Sequence, residues 1–234
     1  MARYTSAYSS FIFRLTEVDL LRRFAATKEK VDPVKLRDEI NAFCRGAVVL
    51  LSAHVEAFIK ELGEVALTNI HLKAVSRNSL ASQFYYHISK DTISEVKDTS
   101  DHGRIAEKIF GFLQSDLTYW DRTGPFPNPL PSDRFNSGFS NPAFDKIRAY
   151  FNRFGYQDYQ KDLAATLQAN FNSTKNMVDH LVDTRNKIAH GDIDISTKKT
   201  PDDVKQMIVI IRKFCGATDA VFASWCNMNL CPIR

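Results

Sequence analysis

The stretch that most constrains the fold is "GAVVLLSAHVEAFI", Gly46 to Ile59. Asp32-Pro33 before it supplies an N-cap and a first helical proline, which predicts a helix running to about Ile70. With 100° per residue, Ile40, Ala47, Val48, Leu50, Leu51, Val55, Phe58, Ile59, Leu62 and Val65 fill one broad arc, while Ser52, Glu56 and Lys60 lie outside it. An apolar arc that wide belongs to a central helix covered by neighbours on more than one side. The run is interrupted by His54 and Glu56 and is too short to span a bilayer, so no membrane association is expected.

The rest of the chain offers helices to cover it. Thr5 to Lys30 reads as one helix, with neither the long apolar run nor the small-residue cleavage site of a signal peptide. Two or three shorter helices span Ser76 to Tyr119, broken near "KDTSDHG". "SNPAFDKIRAYFNRFG" reads as a helix with Asn141 as cap, Pro142 at the first position and Gly155 as terminator. A short helix over Gln160–Ala169 and one over Ser173–His190, closed by Gly191, follow. In "TPDDV", Thr200, Pro201 and Asp203 predict a capped start for a last helix to about Trp225. No strand is convincing and no repeat is found.

Gly and Pro number only 9 and 8, and most prolines fall within Trp120–Pro142, read as a long loop. That loop is either an Ω-like structural segment or an insertion facing a substrate or partner. The expectation is one all-α domain over residues 1–234, with its core at about 33–225 and the loop insertion at about 120–142.

A 44% apolar and 25% charged composition is that of a soluble globular protein, expected in the cytoplasm. A formal charge of +4 is compatible with a nucleic-acid partner without arguing for one. Cys44, Cys215, Cys226 and Cys231 form no C-x-x-C pair and read as free thiols.

The chemistry concentrates in "HLVDTRNKIAHGD", His180 to Asp192. With Met177 at zero, Val178, Leu181, Val182, Ile188 and Ala189 form an apolar face, and Arg185 falls inside it at about 80°. Asp179, Asp183, Asn186 and His190 form a neighbouring polar strip. A guanidinium in a closed core needs an acidic partner, for which Glu56 or Glu61 is available. Alternatively, the face is open and Arg185 emerges at the floor of a cleft beside His190, where a phosphate fits. Both readings stand on periodicity.

The other histidines carry less. His54 lies within the apolar arc and reads as a core residue. His180 and Asp183 lack a third metal ligand, and His71, His87 and His102 have no readable partner.

"DTRNKIAHGD" resembles the R-x(4–6)-H signature of the HEPN superfamily of compact helical domains. "VVLLSAHVEAFIKEL", with an acidic residue in its middle, and "NPAFDKIRAYFNRFGY" are similar to the RiboL-PSP type. Together these stretches cover most of the chain. The resemblance implies metal-independent endoribonuclease activity with no cofactor, in a homodimer whose two motifs face one cleft. His190 would be the general acid/base, Arg185 would hold the scissile phosphate, and Asn186 would orient either of them. Glu56 and Asp183 would be supporting residues. Such chemistry suits imidazole, which titrates near neutrality, and arginine, a fixed cation for phosphate oxygens. RNA is the implied partner, with Lys187, Arg148 and Arg153 as further contacts. The resemblance also suggests a prokaryotic defence or toxin–antitoxin setting in which an antitoxin or other protein restrains the nuclease. A non-catalytic module binding RNA, a nucleotide or a protein partner through the same cleft is the alternative.

Overall fold

The computed structural model describes residues 4–98, 100–192 and 198–234. Those residues form ten α-helices and two short 3₁₀ turns, with no strand among them. The loop expected between the last two helices lies partly outside the described residues.

Helices α1 (Ser6–Val31) and α2 (Arg37–Leu72) pack along their lengths. The pairs Lys28–Glu39, at 2.7 Å, and Arg14–Glu61, at 2.6 Å, fix them as antiparallel. The turn between them uses Asp32 twice. Its N–H ends α1 on the Lys28 carbonyl, and its carboxylate accepts from the N–H groups of Val34 and Lys35. The predicted helix start is therefore present as a helical turn, and the regular α-helix begins four residues later.

As the broad arc requires, α2 is buried from Ile40 to Ile70, against α1, α9 (Phe171–Ala189) and α10 (Pro201–Asn229). Over its 36 residues it is long and apolar enough to cross a membrane, more so than the short run suggested. Here that apolar surface is spent on the core instead. Helix α10 opens as read, with the Thr200 and Asp203 side chains capping each other's backbone N–H. Helix α9 ends at His190, with Gly191 in the left-handed region at φ +78.

Between them lie α3 (Ser82–Ile88), α4 (Lys90–Lys97), α5 (His102–Trp120), α6 (Ser132–Asn136), α7 (Phe144–Asn152) and α8 (Tyr159–Leu167). The long loop is not bare: it contains α6 and buries Phe126, Leu130, Phe135 and Phe139. Two buried arginines hold it. Arg77 donates to the carbonyls of Thr118, Thr123 and Gly124 at its start. Arg153 donates to the carbonyls of Phe135 and Ser137 around α6. A third tie runs from α2. Tyr150 lies over Gly63, where a Cβ would come within 1.9 Å of its hydroxyl, and donates to Asn136, which donates to Glu64. The α6 part of the loop is thereby set against the C-terminal half of α2.

Candidate functional site

Helix α9 faces the strip of α2 that the apolar arc left out. Ser52, Glu56 and Lys60 lie one turn apart, and with Ala53, Ala57 and Arg185 they line an open cavity of about 300 Å³. Small side chains at 53 and 57 leave room between the helices, so the Arg185 guanidinium ends in partly accessible space rather than in sealed core.

Its partners decide between the two readings of this arginine. One Arg185 nitrogen donates to Asn141 Oδ1 at 2.9 Å and to Asn186 Oδ1 at 3.0 Å. Both acceptors are neutral amides, and no ion pair to Arg185 is present among the described residues. Glu61 is taken by Arg14. Glu56 is held by Lys60 Nζ at 2.7 Å and by the backbone N–H of Asn141 at 3.1 Å. Glu56 thus reaches Arg185 through Asn141 rather than by a direct salt bridge.

Asn141 was read as a helix cap, and this is corrected. Helix α7 begins at Phe144, and its first free N–H donates to Asp179 Oδ1 of α9 at 2.9 Å. Asn141 instead adopts φ +53, a conformation asparagine tolerates better than most residues. "SNP" did not reveal this, because asparagine before proline suits a helix entry as well as a turn. Released from capping, the Asn141 side chain becomes the link between Glu56 and Arg185. Lys60, Asp179 and Asn141 are the site residues that sequence reasoning missed.

The remaining expected residues are distributed unevenly. Asn186 contacts Arg185. His190 is the exposed C-cap of α9, its backbone N–H bound to the Asn186 carbonyl, and its ring is not brought onto Arg185 within one chain. Asp183 is exposed and its charge acts on His180, one turn earlier. Burial, helped by Lys199, holds the His180 imidazole below its ordinary range. Lys187 is exposed at the last turn of α9. Arg148 is exposed on α7, with Asp145 at 3.2 Å.

Arg153 does not fit the role suggested for it. It is 8% exposed, its guanidinium serves loop carbonyls, and it lies over the Tyr150 ring at 5.1 Å. Burial pulls its pKa below the usual arginine value. It is a structural clamp with no face left for RNA. His54 is buried as expected, with Glu17 at 3.4 Å.

All three stretches that carried the resemblance meet here: Glu56 from one, Asn141 from the second, Arg185 and Asn186 from the third. The family model for RiboL-PSP-HEPN matches residues 13–224. The chain belongs to the RiboL-PSP-HEPN family. Its helical architecture is that of a HEPN-type domain, and the family points to RNase-type or RNA-related function. No curated protein and no solved structure matches the chain.

Proposed function

We propose that this HEPN-type chain is a metal-independent endoribonuclease acting as a homodimer. The observation that carries the reading is Arg185. It is oriented by two amide oxygens at the edge of an open cavity, and no carboxylate among the described residues is paired with it. A guanidinium held in that way keeps its charge for a phosphodiester, and its remaining donors match phosphate oxygens in geometry.

His190, exposed at the helix end, takes the proton of the ribose 2′-OH as the 2′-oxygen attacks phosphorus. A second acid, supplied by the opposing copy's motif, protonates the departing 5′-oxygen. The P–O5′ bond breaks, leaving a 2′,3′-cyclic phosphate and a free 5′-OH. Arg185 stabilises charge on the non-bridging oxygens in the transition state. Asn186 and the Glu56–Asn141 pair fix the arginine's rotamer, and Lys187 and Arg148 add positive charge for the strand. A cytoplasmic defence or toxin–antitoxin setting, with a restraining protein, is consistent with the family.

The test is cleavage of structured and unstructured RNA in EDTA by wild type, His190→Ala and Arg185→Ala. Wild type is expected to give 2′,3′-cyclic ends, with each variant slower by about 100-fold or more. Equal rates in all three preparations, or no cleavage by wild type across broad conditions, would sink the reading.

A further inference from the structure

Helix α5 lies against α3 and α4, and of its 19 residues only Asp116 is buried. Asp116 holds the helix down, accepting from Arg134 of α6 at 3.0 Å and from Thr92 of α4 at 3.4 Å. Counted at 100° per residue from Leu113, Ile105, Phe112, Asp116 and Tyr119 fall at about −60° to −120°, the side that meets those neighbours. Ala106, Ile109, Phe110, Leu113, Leu117 and Trp120 fall at about −40° to +60°. All six are exposed, the five large ones by 38% to 67%. The helix is apolar on two sides, and one chain covers only one of them.

No Asp, Glu, Lys or Arg of the helix falls within the outer arc, and His102 stands at its end. The Trp120 indole N–H already donates to Ser89 Oγ at 3.0 Å, so what the ring shows outward is apolar. The stripe is also centred on Leu113 along the helix. Ile109 and Leu117 lie four residues to either side of it, Ala106 and Trp120 seven. Turned about a two-fold axis beside Leu113, a second α5 laid antiparallel sets Leu117 on Ile109 and Leu113 on Leu113. The same turn sets the large Trp120 on the small Ala106, and no like charges meet. Exposures of that size on side chains of about 175 Å² each give roughly 450 Å² per copy. Paired, two stripes hide roughly 900 Å² before polar flanks are counted, close to the ~1,000 Å² that a specific contact needs.

We propose that the outer stripe of α5 seats a second copy of this chain, joined as an antiparallel helix pair about Leu113. The contact is separate from the Arg185 cleft, since no α5 residue lines that cavity. It goes beyond the cleavage reading and stands if that reading fails. If the motif helices of two copies also face each other, the two isologous contacts build a tetramer or a longer chain. If they do not, α5 alone makes a dimer. Loss of the α5 contact leaves a dimer in the first case and a monomer in the second. The area is at the small end for stable interfaces, so dilution separates the copies.

The experiment measures mass by light scattering over a micromolar dilution series, for wild type, Leu113→Asp, Leu117→Asp and, as a control, Val34→Asp on the exposed turn after α1. Wild type and Val34→Asp are expected to associate alike. Leu113→Asp and Leu117→Asp are expected to fall to half that mass or less, with melting temperatures near wild type because both positions are exposed in one copy. A second measurement keeps the contact intact. Leu113→Cys should form a disulfide between two copies under oxidised glutathione, because the axis passes beside it, whereas Val34→Cys should not. The native cysteines are all buried and add little background. A monomeric wild type, an unchanged mass in both aspartate variants, or equal cross-linking by the two cysteine variants would overturn the proposal. A monomer that co-sediments with phosphatidylglycerol vesicles would overturn it too, and give the face to a lipid surface.

Discussion

Arg153 and Arg185 were both expected to meet RNA, and their surroundings separate them. Arg153 is enclosed and donates to two loop carbonyls, so removing it orphans buried acceptors. Arg153→Ala is expected to lower unfolding free energy by about 2–4 kcal/mol, measured by denaturant titration. Arg185→Ala, whose side chain borders open space, should cost under about 1 kcal/mol. A large loss for Arg185→Ala would restore the structural reading of that residue.

His87 is a second residue whose behaviour its neighbours determine. Burial, with Arg153 and Lys90 adding repulsion, pushes its imidazole down to about 4, and its Nδ1 has no hydrogen-bond partner among the described residues. The unfolded chain, with an ordinary imidazole near 6.5, therefore takes up the proton first. Stability is complete above that value and falls as pH drops from about 6.5 towards 4, by at most about 3 kcal/mol and less for the part of the ring that water reaches. His87→Leu should flatten this acid slope in melts compared at pH 7 and 4.5. An unchanged slope would mean that other groups cause it. Lys90 is close in sequence, but burial and Arg153, which arrives from the end of α7 66 positions along the chain, are not readable there.

At the scale of elements, helix faces were legible because burial follows a fixed angular period. The broad arc of α2 correctly made it the central helix, and the residues it excluded, Ser52, Glu56 and Lys60, turned out to face Arg185. The capping box of α10 was legible because it is local. Asn141 was not, since the same residue type serves as cap or left-handed turn, and only the tertiary partner Asp179 shows that the capping was done elsewhere. The carboxylate of Asp179 joins the start of α7 to the motif helix. Asp179→Ala should therefore cost about 1–2 kcal/mol, as Thr200→Ala should cost about 1 kcal/mol at α10. Only Asp179→Ala should also slow RNA cleavage, because it loosens the segment carrying Asn141. Equal cleavage by the two variants, at matched folded fraction, would separate Asp179 from the site.

At the scale of the whole molecule, the geometry of α9 sets the last constraint. Arg185 and His190 are five residues apart, about 140° around the helix axis. Arg185 turns inward to Asn141, while His190 stays exposed at the helix end. One copy therefore offers an anion holder and a proton acceptor on different sides of one helix, and a single chain's sequence cannot state what stands opposite. A facing second copy would supply the missing acid, and the cost of bringing it there is one of association. Mixing then becomes diagnostic. Excess His190→Ala protein, added to a fixed amount of wild type and allowed to exchange, should lower cleavage per wild-type chain as mixed dimers form. Dilution of wild type alone should lower specific activity once dimers dissociate. If each chain works alone, both curves stay flat, and the acid that protonates the 5′-oxygen must be sought on the same copy.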